Sequence, residues 1–222
     1  MRTLFDDLRD AAAADWAAYT GHPFVQGIGD GTLSEAAFRH YLGQDYLFLI
    51  HFARAYGLAA YKSTDLDDLR QAAAAMAAIL DVEMGLHIDY CAGWGLDEAA
   101  MRAMPEDTAT MAYTRYVLAA GSAGDLLDLH VALAPCIVGY AEIGARLAAD
   151  PTTVRTGNPY ADWIDMYAGD DYQAVAAGEI ALLDRLDTTR GGPGRRPDLV
   201  RIFRQATRLE AAFWQMGLEA AD

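Results

Sequence analysis

Apolar residues in this chain recur at intervals of three and four and almost never alternate, and the residues that interrupt them are helix caps and breakers. A chain patterned this way offers no face for a sheet, so its apolar stripes can be buried only by laying helix against helix. The stops mark a helix over about 3–19, closed by Thr20-Gly21-His22-Pro23, a turn at Gly29-Asp30-Gly31, and a long helix from an N-cap at Ser34 to about 63. Further helices are expected over about 65–93, briefly between Gly95 and Pro105, over about 106–120 and, after a turn at 121–124, over about 125–149. The last three cover about 160–167, 171–186 and 198–219, with the Gly- and Pro-rich segment 188–197 expected to be the most flexible stretch. Arg190, Arg195 and Arg196 read as decoration of that loop. The expectation is an all-α bundle of several helices forming a single domain over 1–222. A chain of this length can bury a core without disulfides or metals.

The formal net charge is −15 and Lys62 is the one lysine, which makes phosphate backbones and anionic membranes poor partners. Residues 1–10 carry Asp6, Asp7 and Asp10 instead of a uniform apolar run, so no leader is expected. The long uncharged stretches are alanine-rich and interrupted, and no membrane span is expected from them. Cys91 and Cys136 form neither a CxxC pair nor a metal-type spacing, and both thiols are expected free in a reducing cytoplasm.

Placing each polar residue on its helix at about 100° per residue gives the informative result. The last helix carries an apolar stripe of Leu199, Ile202, Phe203, Ala206, Phe213 and Gly217, and Glu210 falls inside it. Asp45 lies in the stripe of Tyr41, Leu42, Phe48 and Leu49. Cys136 lies in the stripe of Leu126, Leu129, Leu133 and Tyr140, just after Pro135, which removes one backbone bond and should kink the helix. A carboxylate aimed at a core costs several kcal/mol unless something pairs with it. Each group alone has a structural reading, as an ion-paired carboxylate or an inert core thiol. Three helices that each aim one reactive group inward, among many tyrosines, suit a pocket for a flat heteroaromatic small molecule. Burial would raise a carboxyl pKa enough for general-acid work.

Other candidates carry less. Glu83 and His87 are four apart, with Asp89 nearby, a spacing compatible with a metal, but the Glu-x-x-His pattern of di-iron bundles is missing, and no metal or cofactor is expected. Glu142 falls opposite the Leu133–Tyr140 stripe and reads as solvated. Gly191–Gly194 has no preceding strand or following lysine and is no phosphate loop.

Several segments together resemble one family. His22-Pro23-Phe24-Val25, Asp30-Gly31-Thr32-Leu33, Phe38, Tyr41-Leu42 and Gln44-Asp45-Tyr46 are similar to the N-terminal signature of TenA proteins, the thiaminase II family. Leu133-Ala134-Pro135-Cys136 with Tyr140 and Gly144, then Tyr160, Trp163-Ile164-Asp165, Tyr167-Ala168, and finally Glu210, Phe213-Trp214 and Met216 continue the match in order and spacing. The resemblance implies a heme-oxygenase-like helical fold without heme, usually a homotetramer. It implies hydrolysis at the methylene carbon of an aminopyrimidine, either thiamin or its aminomethyl-pyrimidine breakdown product, to the hydroxymethyl-pyrimidine used in thiamin salvage. By the same analogy Cys136 adds to the ring as nucleophile, Glu210 protonates a ring nitrogen, and Asp45 holds the 4-amino group and helps activate the thiol. Tyr113 would stack on the pyrimidine, Tyr140 and Tyr167 would hydrogen-bond within the site, and Phe48 stands where some members carry tyrosine. A non-catalytic pyrimidine-binding or regulatory protein and a metal-dependent oxidase of the same fold are the competing readings.

Overall fold

The structure, a computed structural model, describes residues 2–220. Met1, Ala221 and Asp222, the ends of the expected domain span, lie outside the described residues. Twelve α-helices and one π-helical turn make up the regular structure, with no strand among the described residues. They are α1 (Leu4–Ala11), α2 (Ala13–Thr20), α3 (Pro23–Asp30), α4 (Glu35–Lys62), α5 (Leu66–Ala78), α6 (Met84–Gly93), α7 (Glu98–Ala103), α8 (Thr108–Ala123), α9 (Leu126–Ala149), α10 (Ala161–Ala168), α11 (Asp170–Arg190) and α12 (Arg196–Glu219).

Capping chemistry sets the long helices where the sequence places them. The Ser34 side chain accepts from the Ala37 amide at the start of α4, and Asp125 closes a capping box with Asp128 at the start of α9. α9 runs through the centre, packed by α2, α4, α8, α10, α11 and α12, and α4 packs against α5, α6, α8 and α12. By length and composition α9 could cross a membrane, which the reading of interrupted alanine runs did not anticipate, yet 89% of its most apolar window is buried by the other helices. Two glycines permit the closest approaches to α9. A Cβ on Gly139 would sit 2.4 Å from the Tyr19 ring, and one on Gly144 would sit 2.6 Å from the Tyr167 backbone.

Several boundaries differ from the sequence expectation. The first helix is broken at Ala12 (φ −110°, ψ 21°). Phe5 and Trp16, about 16 Å apart along a straight helix, meet edge to face with ring centroids 5.5 Å apart because of that break. The segment after His22 is a helix, α3, started by Pro23 at its first turn and ended by Gly31 at φ 74°. The helix expected over 65–93 contains a π-helical turn at Ile79–Glu83. α8 continues to Ala123, so the turn expected at 121–124 shrinks to its cap at Gly124.

The segment expected to be the most flexible is pinned. α11 reaches Arg190, and the Arg195 guanidinium donates to Asp125 at 2.8 Å and Asp128 at 2.6 Å, tying the start of α12 to the start of α9. Arg196 pairs with Asp187 at 3.0 Å, and Arg190 donates to Thr64 at 3.1 Å. The three arginines therefore join helices, a role their local sequence does not announce. Glu142 is also not simply solvated: its carboxylate accepts from the Trp16 indole N–H at 3.0 Å.

Candidate active site

α4, α9 and α12 bring Asp45, Cys136 and Glu210 to one region, and α8, α10 and α11 supply tyrosines around them. Glu210 is 1% exposed and its Oε1 accepts a 2.7 Å hydrogen bond from the Tyr113 hydroxyl. The Cys136 thiol is among the groups that act on its carboxyl, favouring the ionised form. Burial pushes Glu210 up to about 8, against the hydrogen bond from Tyr113 and with the Asp45 charge adding to the rise. At neutral pH its protonated form predominates, which is the form that can give a proton to a ring nitrogen.

Cys136 retains partial exposure although its neighbours Pro135 and Ile137 on α9 are buried. Its pKa is driven well above the ordinary thiol value by desolvation first, then by Glu210, Asp45 and Glu83. The resting group is a thiol, and it becomes nucleophilic only when a neighbouring base takes its proton. Cys91 is buried, pushed up to about 12 chiefly by burial, and behaves as a core thiol.

Asp45 is 8% exposed and desolvation raises it to about 7. The nearest group of opposite character is His87, whose Nδ1 is 3.7 Å from Asp45 Oδ2, beyond a hydrogen bond. The other ring nitrogen of His87, Nε2, bonds the Leu42 carbonyl at 3.0 Å, which makes it the N–H donor, and burial lowers the pKa of the ring. Burial of the ring thus favours its neutral form. Among the described residues no group of three His, Cys, Asp or Glu side chains is arranged to hold a metal ion.

The expected substrate-binding residues divide by what they do in the structure. Tyr113 packs its ring on Phe48 at 5.2 Å and commits its hydroxyl to Glu210, a positioning contact that the expected stacking role did not include. The rings of Tyr140 and Tyr167 lie 4.9 Å apart, and the Tyr41 hydroxyl accepts from the Trp163 indole at 3.2 Å. Sequence reasoning placed Tyr41 in the core stripe and in the family signature without giving it a role, yet its buried hydroxyl takes the Trp163 hydrogen bond among these rings. It also left out Tyr172, half-buried on α11, whose ring lies 4.7 Å from Tyr167 and whose hydroxyl feels Cys136, Glu83, Glu210 and Asp45. Glu83 and His87 were weighed only as metal ligands. The signal that could have found Tyr41 is its place one turn before Asp45 on the same face; Tyr172 has no local signal.

A separate cavity of about 210 Å³ is lined by Tyr56, Asp68, His130 and Glu179 among others, and takes in none of Asp45, Cys136 or Glu210. His130 and Glu179 are buried there and pair at 2.9 Å.

The family model of the TENA/THI-4/PQQC family matches residues 9–220. An aminopyrimidine aminohydrolase from Halalkalibacterium halodurans is 37% identical over 94% of this chain and 92% of its own length. Among solved structures, a TenA family transcription regulator from Silicibacter sp. TM1040 is 47% identical, covers 96% of each chain and superposes with a TM-score of 0.90. A domain with a heme oxygenase-like fold from Shewanella denitrificans, 16% identical with a TM-score of 0.74, covers 97% of this chain and 92% of its own and shares the fold. With the helical architecture and the match across nearly its full length, this chain is a member of the TENA/THI-4/PQQC family with a heme-oxygenase-like all-α fold.

Proposed function

We propose that this protein is an aminopyrimidine aminohydrolase of the thiaminase II kind, one catalytic domain that converts 4-amino-5-aminomethyl-2-methylpyrimidine, or thiamin, to 4-amino-5-hydroxymethyl-2-methylpyrimidine. The observation that carries the reading is the Tyr113–Glu210–Cys136 chain, a protonated carboxyl held by a tyrosine beside a partly exposed thiol. The aminohydrolase relative from Halalkalibacterium halodurans supports the same reaction class.

Neutral Glu210 gives its proton to a pyrimidine ring nitrogen, which makes the ring electrophilic, and its new carboxylate takes the proton of Cys136 as sulfur bonds to a ring carbon. The C–N bond at the methylene then breaks, and the amine leaves with the electron pair. Water adds to the exocyclic methylene, and loss of the thiolate restores the aromatic ring. Asp45 holds the 4-amino group. Tyr113, Phe48, Tyr140 and Tyr167 wall the substrate, with no cofactor in the cycle.

The apolar residues Leu80, Val82 and Leu86, exposed at 46%, 56% and 61% around the π-helical turn, support a homotetramer buried through that arm. The acidic charge supports an enzyme without nucleic-acid or anionic-membrane partners, and the two unpaired thiols support a reducing cytoplasm. The regulator relative favours a second reading, a pyrimidine-responsive regulatory protein, although a net charge of −15 opposes direct contact with DNA.

Product analysis with each pyrimidine, on wild type and Cys136→Ala, decides between them. Hydroxymethyl-pyrimidine formed by wild type and reduced at least about a hundredfold in the variant is the expected result. Tight pyrimidine binding with no turnover would move the protein to the regulatory reading.

A further inference from the structure

The cavity of about 210 Å³ away from Asp45, Cys136 and Glu210 is kept open by small residues. Ala72 and Ala75 of α5 and Gly178 of α11 stand on its lining, and a Cβ on Gly178 would meet nothing within 4 Å. Leu126, Val175 and Leu182 add apolar wall. Its buried lining includes His130 of α9 and Glu179 of α11, with side chains 4% and 5% exposed. His130 Nδ1 lies 2.9 Å from Glu179 Oε1 and 3.2 Å from Oε2. An ionised carboxylate only accepts, so against it Nδ1 carries the hydrogen and Nε2 keeps a lone pair. The Tyr56 ring stands edge to face against His130, with centroids 6.3 Å apart. Neither His130 Nε2 nor the Tyr56 hydroxyl has a hydrogen-bond partner among the described residues, and neither atom is sealed away from open space. Other polar groups on the lining are committed: Asp68 is ion-paired with Arg185, and the Ser63 hydroxyl donates to the Ala59 carbonyl at 2.8 Å. A link between α9 and α11 needs only Nδ1; it explains neither the open Nε2 nor the space in front of it.

We propose that this cavity is a second ligand site, which takes a compact neutral molecule with an apolar body the size of an aromatic ring and one O–H or N–H group that donates to His130 Nε2 beside the Tyr56 hydroxyl. The size follows from the volume, since an apolar cavity of about 150 Å³ is enough to hold benzene. The donor follows from the lone pair on Nε2, which stays without a partner until a ligand supplies one. Neutrality follows from the charges, because Glu179 and Asp68 are each already paired. An anion would be set against both carboxylates, and a cation would find neither of them free. The site does not depend on the hydrolase reading.

Ligand-observed NMR on the whole chain at about pH 8, where an ordinary imidazole is neutral, compares benzyl alcohol, toluene and benzoate. Benzyl alcohol should bind about fivefold or more tightly than toluene, its nearest match in shape without a donor, and benzoate should bind most weakly. His130→Asn puts an amide N–H where Nδ1 was, so Glu179 stays paired while Nε2 is removed. In that variant the alcohol should fall to within about twofold of toluene. Gly178→Leu places a side chain in the open space at an exposed helical position, where Gly is the poorer helix former. It should weaken alcohol and toluene alike by about fivefold or more, with the melting temperature unchanged or higher. Equal binding of alcohol and toluene to wild type, benzoate binding more tightly than the alcohol, or no binding of any probe overturns the proposal. Binding that survives Gly178→Leu would put the probes elsewhere and overturns it as well. An alcohol preference kept in His130→Asn would leave the His130–Glu179 pair a structural link only.

Discussion

Glu210→Gln separates what the site costs the fold from what it contributes to chemistry. Burial raises the Glu210 carboxyl from an ordinary 4.5 to about 8 in the folded protein. Between those two values the native state holds a proton that the unfolded state has released, so stability falls as pH rises across the interval. The slope for one such proton is about 1.4 kcal/mol per pH unit, which bounds the loss at about 5 kcal/mol, and local relaxation should reduce it to roughly 2–4 kcal/mol. Gln keeps an oxygen that accepts from Tyr113 at nearly the same volume, but it neither ionises nor relays a proton. Urea unfolding followed by circular dichroism at fixed protein concentration measures the effect at pH 5, 6, 7 and 8. The advantage of the variant over wild type should be under about 1 kcal/mol at pH 5 and grow to a few kcal/mol at pH 8. Asp45 and Glu83, each raised to about 7, contribute similar slopes to both proteins and largely cancel in the difference. Turnover should meanwhile fall by roughly 10²–10⁴-fold. A difference independent of pH, or a variant less stable than wild type at pH 8, would refute the buried-acid account of Glu210.

Two other substitutions probe how the site is held. Tyr113→Phe removes the hydrogen bond that favours the ionised form of Glu210, so the Glu210 pKa should rise further and the kcat–pH profile should move to higher pH; an unmoved profile would show that Tyr113 does not tune the acid. Gly144→Ala puts a methyl group 2.6 Å from the Tyr167 backbone, so α10 must shift away from α9. It should cost about 1–3 kcal/mol by thermal unfolding and weaken pyrimidine binding through the displaced Tyr167. Wild-type stability and binding in that variant would mean the α9–α10 contact is looser than the structure has it.

The class of the fold and the inward placement of Asp45, Cys136 and Glu210 follow from periodicity, because a helix fixes which residues share a face. Asp45, Cys136 and Glu210 are conspicuous as polar groups in apolar stripes, and Ser34 and Asp125 announce helix starts with local chemistry that needs no distant partner. Tertiary structure alone decided the rest. The break at Ala12 serves a meeting of Phe5 with Trp16, and the segment around Arg195 is ordered by two aspartates at the start of another helix, about seventy residues away. Neither follows from local preference, since each is offset by contacts remote in sequence. The π-helical turn that carries Glu83 is one inserted residue in an otherwise continuous pattern. Which ring nitrogen of His87 meets Asp45 is set by the other nitrogen's bond to the Leu42 carbonyl on the neighbouring helix, a contact remote in sequence.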